Sequence, residues 1–430
     1  MPQQVLTLDP RGLAHCQAVL DRYLPGLDPG LTPLAPREAL LAGSTLLALQ
    51  RAYGANGREA VLHEAGVTAH AAVTDQQALD KMAQRNLATL PARAAVAGVP
   101  RLWHLDAANV RSAWQHWGGP DNIAWGNVKV GQIDTGYTRH PVFGFGAQPW
   151  VDVAAGRTFF AVGGDGGGPG PGDGVDPVQT MMDGHGTRVG SVICGDDRAA
   201  PGGAYLGVAP RVPLVPVRIA NVVLISHAQR ELAQAIRYLV RDARVAVINL
   251  SMGFLPRLQM AVLDRAIDEA YEAGVILVCA AGQPLPSVVS PAHGRRTVAA
   301  AGSTPAGIPW GKSAFGGAVD WTAPATEILR AQTSNSGSPS YAGGGDGTSY
   351  AAALTSGAAA LWVSRHGAAL DAAYPQGWQR VEAFKAVAKA TARPMPNQQP
   401  GSFGAGILDI GALVQAPLPP KDGLSKERPA

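Results

Sequence analysis

The sequence predicts an α/β fold, a parallel β-sheet flanked by helices, preceded by a mainly helical N-terminal extension. Three observations carry that reading. From about Leu102 onward, short apolar runs alternate with segments of helical periodicity. The runs are apolar throughout rather than alternating, as strands covered on both faces are. Residues able to do chemistry stand just past the ends of such runs, where open α/β sheets place their ligands.

The elements follow in order. Residues 37–53 carry Leu40, Leu41, Leu46, Leu47 and Leu49 at roughly helical spacing, and residues 75–90 form a second helical candidate. Residues 1–100 therefore read as an N-terminal extension: a helical addition, a pro-segment that folds over an active site, or a partner-docking domain. Residues 101–415 read as the main domain. Within it, strands are expected at 128–133, 214–219, 245–250, 275–281 and 297–301, and helices at 226–243 and 258–273, the latter ending at Gly274 in a C-cap position. The glycine run at 163–174 reads as a surface loop. Residues 416–430, rich in Pro, Lys and Glu, read as a flexible tail.

Composition narrows the function. A chain of 430 residues with 46% hydrophobic residues can form a sizeable core, and a formal net charge of +3 is too weak a bias for a nucleic-acid partner. The N-terminus lacks a basic start followed by an apolar run, so the expected location is cytoplasmic, with export by a route without a cleaved signal left open. The longest apolar stretch near it, 39–49, is too short to span a bilayer, and no membrane association is expected. Cys16, Cys194 and Cys279 lack metal-ligand spacing and read as buried free thiols. No dense run of Asp and Asn suggests a metal loop, so neither metal nor cofactor is expected.

Three local motifs supply what amide hydrolysis by a serine needs: a hydroxyl, an imidazole to take its proton, and a carboxylate to orient that imidazole. Val130-Gly131-Gln132-Ile133-Asp134-Thr135-Gly136 places an aspartate at the end of an apolar strand. Asp183-Gly184-His185-Gly186-Thr187-Arg188-Val189 places a histidine between two glycines, leading into a helix. Gly347-Thr348-Ser349-Tyr350-Ala351-Ala352-Ala353 places a serine at the mouth of an Ala-rich helix running to about Val363. A helix start offers free N–H groups and a positive dipole end where an oxyanion would develop.

With these motifs in the chain order Asp, His, Ser, the sequence resembles the subtilisin-like serine peptidases, the subtilases. Further landmarks agree in order: Gly207-Val208-Ala209-Pro210, Asn249-Leu250-Ser251-Met252-Gly253, Ala280-Ala281-Gly282, Ala314-Phe315-Gly316, Ala323-Pro324 and Gly404-Ala405-Gly406-Ile407-Leu408-Asp409, the last resembling the closing strand of the domain. The match covers roughly residues 101–415. The resemblance implies a serine endopeptidase of the processing kind, with Asp134, His185 and Ser349 as catalytic triad. It implies an extended peptide or protein substrate between Ser251, Met252 and Gly253 on one side and Ala280, Ala281 and Gly282 on the other. Walls of Gly and Ala leave room for a sizeable P1 side chain, the one preceding the scissile bond.

One departure bears on activity. Where subtilases follow Ala-Ala-Gly with an asparagine that donates to the oxyanion, this chain has Gln283. The extra methylene carries the amide about 1.5 Å further from the backbone. Gln283 can bend into place, leave the hole half-built, or mark a shifted loop. Arg188 stands for a second histidine, Ala353 for a proline, and Tyr350 for the methionine after the nucleophile. Two other functions therefore fit: a peptide-cyclising or transamidating relative, and a catalytically weak peptide-binding protein.

Overall fold

The structure is a computed structural model that describes every residue except 1–3, 26–30, 36–37, 42, 73–97, 160–172, 179–181, 183, 200–202, 226–227, 255–258, 284–286, 334–338, 397, 399–400 and 430. The helix expected at 75–90 and most of the 163–174 glycine run lie outside the described residues. The chain divides into two compact units, one formed chiefly by Met1–Leu90 and the other by Pro91–Pro284 with Val288–Ala430.

The first unit runs β1 (Gln4–Leu8), α1 (Gly12–Tyr23), β2 (Thr32–Ala35), β3 (Glu38–Leu41), α2 (Gly43–Glu64) and β4 (Val67–Ala72). Its four strands form an antiparallel sheet in the order β2-β3-β1-β4, a split β-α-β arrangement. Leu6 and Leu8 alternate into a core shared with Cys16, Leu20, Leu41, Leu46, Leu49 and Leu62. Of the two helices expected here only the first falls among the described residues, and its leucine run 37–53 is divided: its start is strand β3, and the helix begins only at Gly43.

The second unit carries a parallel sheet of seven strands in the order β11-β10-β9-β8-β5-β7-β6. They are β5 (Val130–Asp134), β6 (Arg157–Thr158), β7 (Leu214–Arg218), β8 (Val247–Leu250), β9 (Ile276–Ala280), β10 (Val298–Ser303) and β11 (Trp321–Pro324). Alternate residues feed two separate cores. Ile276, Val278 and Ala280 face α3 (His185–Cys194) and the long α6 (Thr348–His366), while Leu277 and Cys279 face α4 (Gln229–Arg241) and α5 (Ala261–Glu272). This two-sided covering is why the strands read as unbroken apolar runs. Every residue of α6 from Thr348 to Val363 is buried, and its run of alanines lets it lie close to the sheet.

The topology fixes where chemistry can sit. After β5 the chain builds β6 and β7 on one side, then crosses back to add β8 to β11 on the other. The carboxyl end of β5 is thus the switch point of the sheet, the place where doubly wound folds open a crevice. A hairpin of β12 (Ile328–Thr333) and β13 (Pro339–Gly345) precedes α6.

Two expectations are corrected here. Residues 404–409 form no strand: Ile407 makes only single bridges to Thr322 and Arg393, and Asp409 caps the short helix Ile410–Gln415 by accepting from the Ala412 N–H. The tail at 416–430 is pinned rather than loose. The Glu427 N–H donates to the Tyr271 hydroxyl at 2.9 Å, and buried Arg296 donates to the carbonyls of Glu427 and Arg428. All three cysteines are buried free thiols. Among the described residues, no helix is long and apolar enough to cross a membrane.

Candidate active site

Asp134 is the last residue of β5 and 1% exposed. Its Oδ1 accepts from the Thr135 N–H and from His185 Nδ1, both at 2.7 Å. A carboxylate only accepts, so this contact fixes Nδ1 as the protonated nitrogen and leaves Nε2 as the basic one. Asp134 Oδ2 is buried with no partner among the described residues, so the hydrogen bonds to the carboxylate enter through Oδ1.

His185 opens helix α3, and the N–H and carbonyl of the next residue are stitched to β5 and to the residue that follows it. The Gly186 carbonyl accepts from Gln132 Nε2 at 2.7 Å, and the Gly186 N–H donates to Thr135 Oγ1 at 3.1 Å. A Cβ at Gly186 would lie 2.0 Å from the Gly136 carbonyl oxygen, so only glycine permits this approach. Gly184, with φ +63°, supplies the left-handed turn into the helix. Behind this frame, buried Asp176 accepts from the Thr135 hydroxyl at 2.7 Å and from the N–H groups of Gly184 at 2.9 Å and Val178 at 2.8 Å. Burial raises its carboxyl above the usual range, against the pull of those hydrogen bonds.

Ser349 is the second residue of α6, so its N–H belongs to the first turn and has no intrahelical acceptor. The strand register brings it to the switch point. Ile133 pairs with Leu250 across β5 and β8, which sets Asp134 beside Ser251 one strand spacing away. Ser251 in turn meets the serine: Ser349 Oγ donates to the Ser251 carbonyl at 3.4 Å, and Ser251 Oγ donates to the Ser349 carbonyl at 3.2 Å. Asn249 and Ser356 back this contact, with Asn249 Nδ2 donating to Ser356 Oγ at 3.0 Å.

Gln283 approaches the same helix end. Its Oε1 accepts from the Thr348 N–H at 3.1 Å and from the Thr348 hydroxyl, which also accepts from the Gly282 N–H at 3.1 Å. Because a backbone N–H can only donate, the carboxamide oxygen must face Thr348. Nε2 is left as the donor, 3.4 Å from where a Cβ on Gly347 would stand.

The segments predicted to flank a substrate have part of their hydrogen bonding already used within the chain. The Gly253 N–H donates to the Val223 carbonyl, and the Gly253 carbonyl accepts from the Ile225 N–H, both at 2.9 Å. On the other wall, the Ala281 N–H donates to the Ala300 carbonyl, the Ala281 carbonyl accepts from the Val289 N–H, and the Gly282 carbonyl accepts from the Ala314 N–H. Met252 and Ala280 are buried beside them.

The sequence profile of the subtilase family matches residues 126–406, a span that contains all of these groups. The chain belongs to the subtilase family. It is 29% identical over 339 residues to an extracellular protease of Xanthomonas campestris pv. campestris, covering 72% of this chain and 54% of that protein. It is 30% identical over 156 residues to subtilisin DY of Bacillus licheniformis, covering 36% of this chain and 47% of that protein. The chain thus spans about half the length of these curated relatives. Among solved structures, a protease from Pseudoalteromonas arctica superposes with a TM-score of 0.57 at 25% identity, covering 73% of this chain and 96% of that one.

In this subtilase, sequence reading missed Gln132, Thr135, Asp176 and Thr348. Their significance lies in what their side chains touch across the fold; Gln132, Thr135 and Thr348 stand inside the motifs around Asp134 and Ser349, and Asp176 stands in none.

Proposed function

We propose that this subtilase is a serine endopeptidase in which Asp134, His185 and Ser349 form the catalytic triad. The observation that carries the reading is the buried 2.7 Å pair of His185 Nδ1 and Asp134 Oδ1, at the same sheet switch point as Ser349 on the first turn of α6. Ser349 Oγ attacks the peptide carbonyl while His185 Nε2 takes its proton, and Asp134 stabilises the imidazolium that forms. The Ser349 N–H and Gln283 Nε2 donate to the tetrahedral oxyanion. His185 then returns the proton to the leaving amine, and a water activated by the same imidazole hydrolyses the acyl-enzyme.

The substrate backbone runs beside Ser251, whose carbonyl accepts from the Ser349 hydroxyl. A peptide that accepts from the Gly253 N–H has to displace the Val223 carbonyl from it. That requirement favours a processing enzyme with few substrates over one of general degradation. The test is an unstructured polypeptide incubated with wild type and with Ser349→Ala, followed by product mass. The expected fragments sum to the substrate plus one water per cut, and only wild type makes them. Products lacking that water indicate cyclisation or transamidation, and intact substrate in both samples refutes the peptidase reading.

The folded N-terminal unit acts either as a pro-segment or as a docking domain. As a pro-segment it is lost from stored wild type and kept by Ser349→Ala, whereas a docking domain stays on both. A cytoplasmic location stands against the name of the Xanthomonas relative, an extracellular protease, and cell fractionation decides between them.

A further inference from the structure

Two glycines, one from each segment expected to flank the substrate, lie close to Ser349 in the chain's hydrogen bonding. Gly253 lies two residues beyond Ser251, which touches the nucleophile, and Gly282 bonds through its N–H to Thr348. The same side chain stands against both. A Cβ on Gly253 would be 2.6 Å from Val289 Cγ2, and a Cβ on Gly282 would be 2.7 Å from Val289 Cγ1. Each glycine α-carbon therefore touches a different methyl of one isopropyl group. Val289 spans the gap between the two walls.

It is also held there. Val289 is 6% exposed, and its N–H donates to the Ala281 carbonyl at 2.9 Å. The next residue, Ser290, exchanges both backbone hydrogen bonds with Phe254, at 2.9 and 3.0 Å. One end of this short segment is thus tied to the Gly282 wall and the other to the Gly253 wall. Valine, branched at Cβ, has little rotameric freedom to swing aside. Widening that gap would mean breaking backbone pairing on both sides.

We propose that Val289 closes the floor of the P1 pocket and restricts this enzyme to small P1 side chains, those of Gly, Ala and Ser. The roomy pocket suggested by walls of Gly and Ala is filled from below by a residue that carries no motif. This inference rests on the triad reading above, because that reading makes the slot beside Ser349 the P1 site. Leucine, phenylalanine or lysine at P1 would need the volume the isopropyl group occupies, and a close-packed wall tied at both ends does not yield it cheaply.

The test is a set of fluorogenic peptides identical except for Ala, Leu or Phe at P1. Each is measured with wild type, Val289→Ala and Val289→Gly, with enzyme concentrations set by fluorophosphonate titration. Wild type is expected to prefer Ala to Phe by at least about tenfold in kcat/KM. Val289→Gly is expected to raise the Phe-to-Ala ratio by about tenfold or more, with Val289→Ala between the two. A wild type that cleaves after Phe as well as after Ala overturns the inference. So does a ratio unmoved in either variant that titrates. If Val289→Gly does not fold, the wild-type ratio and Val289→Ala decide. A wild type that takes up no fluorophosphonate overturns the triad reading itself, and this inference with it.

Discussion

On the Asp134–His185 side of the site, each backbone group next to the histidine is claimed by a buried partner: Gln132, Thr135 and, one layer behind, Asp176. On the Gln283–Ser349 side, the glutamine is only half-buried, and its orientation depends on two donors from the single residue Thr348. The same contrast exists in the sequence. The proposed acid–base half has the residues the family resemblance implies at Asp134 and His185, whereas the proposed oxyanion half has Gln283 where that resemblance implies asparagine. A longer side chain has one more torsion to fix, and the Thr348 clamp supplies that restraint. The comparison teaches that His185 is positioned by the fold, while Gln283, the proposed oxyanion donor, is positioned by a local contact.

Mutations can break or sharpen that contrast. The largest effect is expected at His185→Ala, which should lower kcat by about 10⁴-fold or more, the scale known for serine peptidases including subtilisin. A loss of tenfold or less would mean the locked half is not the catalytic one. Next is Gln283→Ala, expected to cost about 10²–10³ in kcat with KM nearly unchanged, as removing the oxyanion donor does in subtilisin. An unchanged kcat there would show that Nε2 never reaches the oxyanion. The smallest is Thr348→Val, which removes the hydroxyl but keeps the N–H. With one hydrogen bond worth on the order of 1 kcal/mol, kcat should fall about five- to tenfold, and Thr348→Ser should restore it. If Thr348→Val costs as much as Gln283→Ala, the clamp is the whole of the positioning; if it costs nothing, the backbone bond suffices.

How much of this was legible in the sequence differs by region for physical reasons. The strands of the parallel sheet were readable because two-sided burial makes them apolar throughout, as in Ile276–Ala280. The motif around His185 stood out because tight approaches there demand glycine at 184 and 186. Strand β3 was not, since Leu40 and Leu41 fit a helical stripe as well as a short strand, and pairing with β1 decides the matter. The β12–β13 hairpin was hidden by a β13 that is nearly half glycine and lacks alternation. Asp176 lies in irregular chain 42 residues from Asp134, and nothing local links it to the histidine frame. Val289 looks like any core valine until its two glycine neighbours are seen. The tail was misjudged because its polar composition suggests solvent, whereas its backbone, not its side chains, makes the contacts to Arg296 and Tyr271.

The central claim is that Ser349 is an activated nucleophile. It is tested most directly by intact mass after exposure to a fluorophosphonate, in wild type and in folded Ser349→Ala. The account predicts one adduct on wild type, mapped to Ser349, and none on the variant. A folded wild type without an adduct, or an adduct that persists in Ser349→Ala, would contradict it.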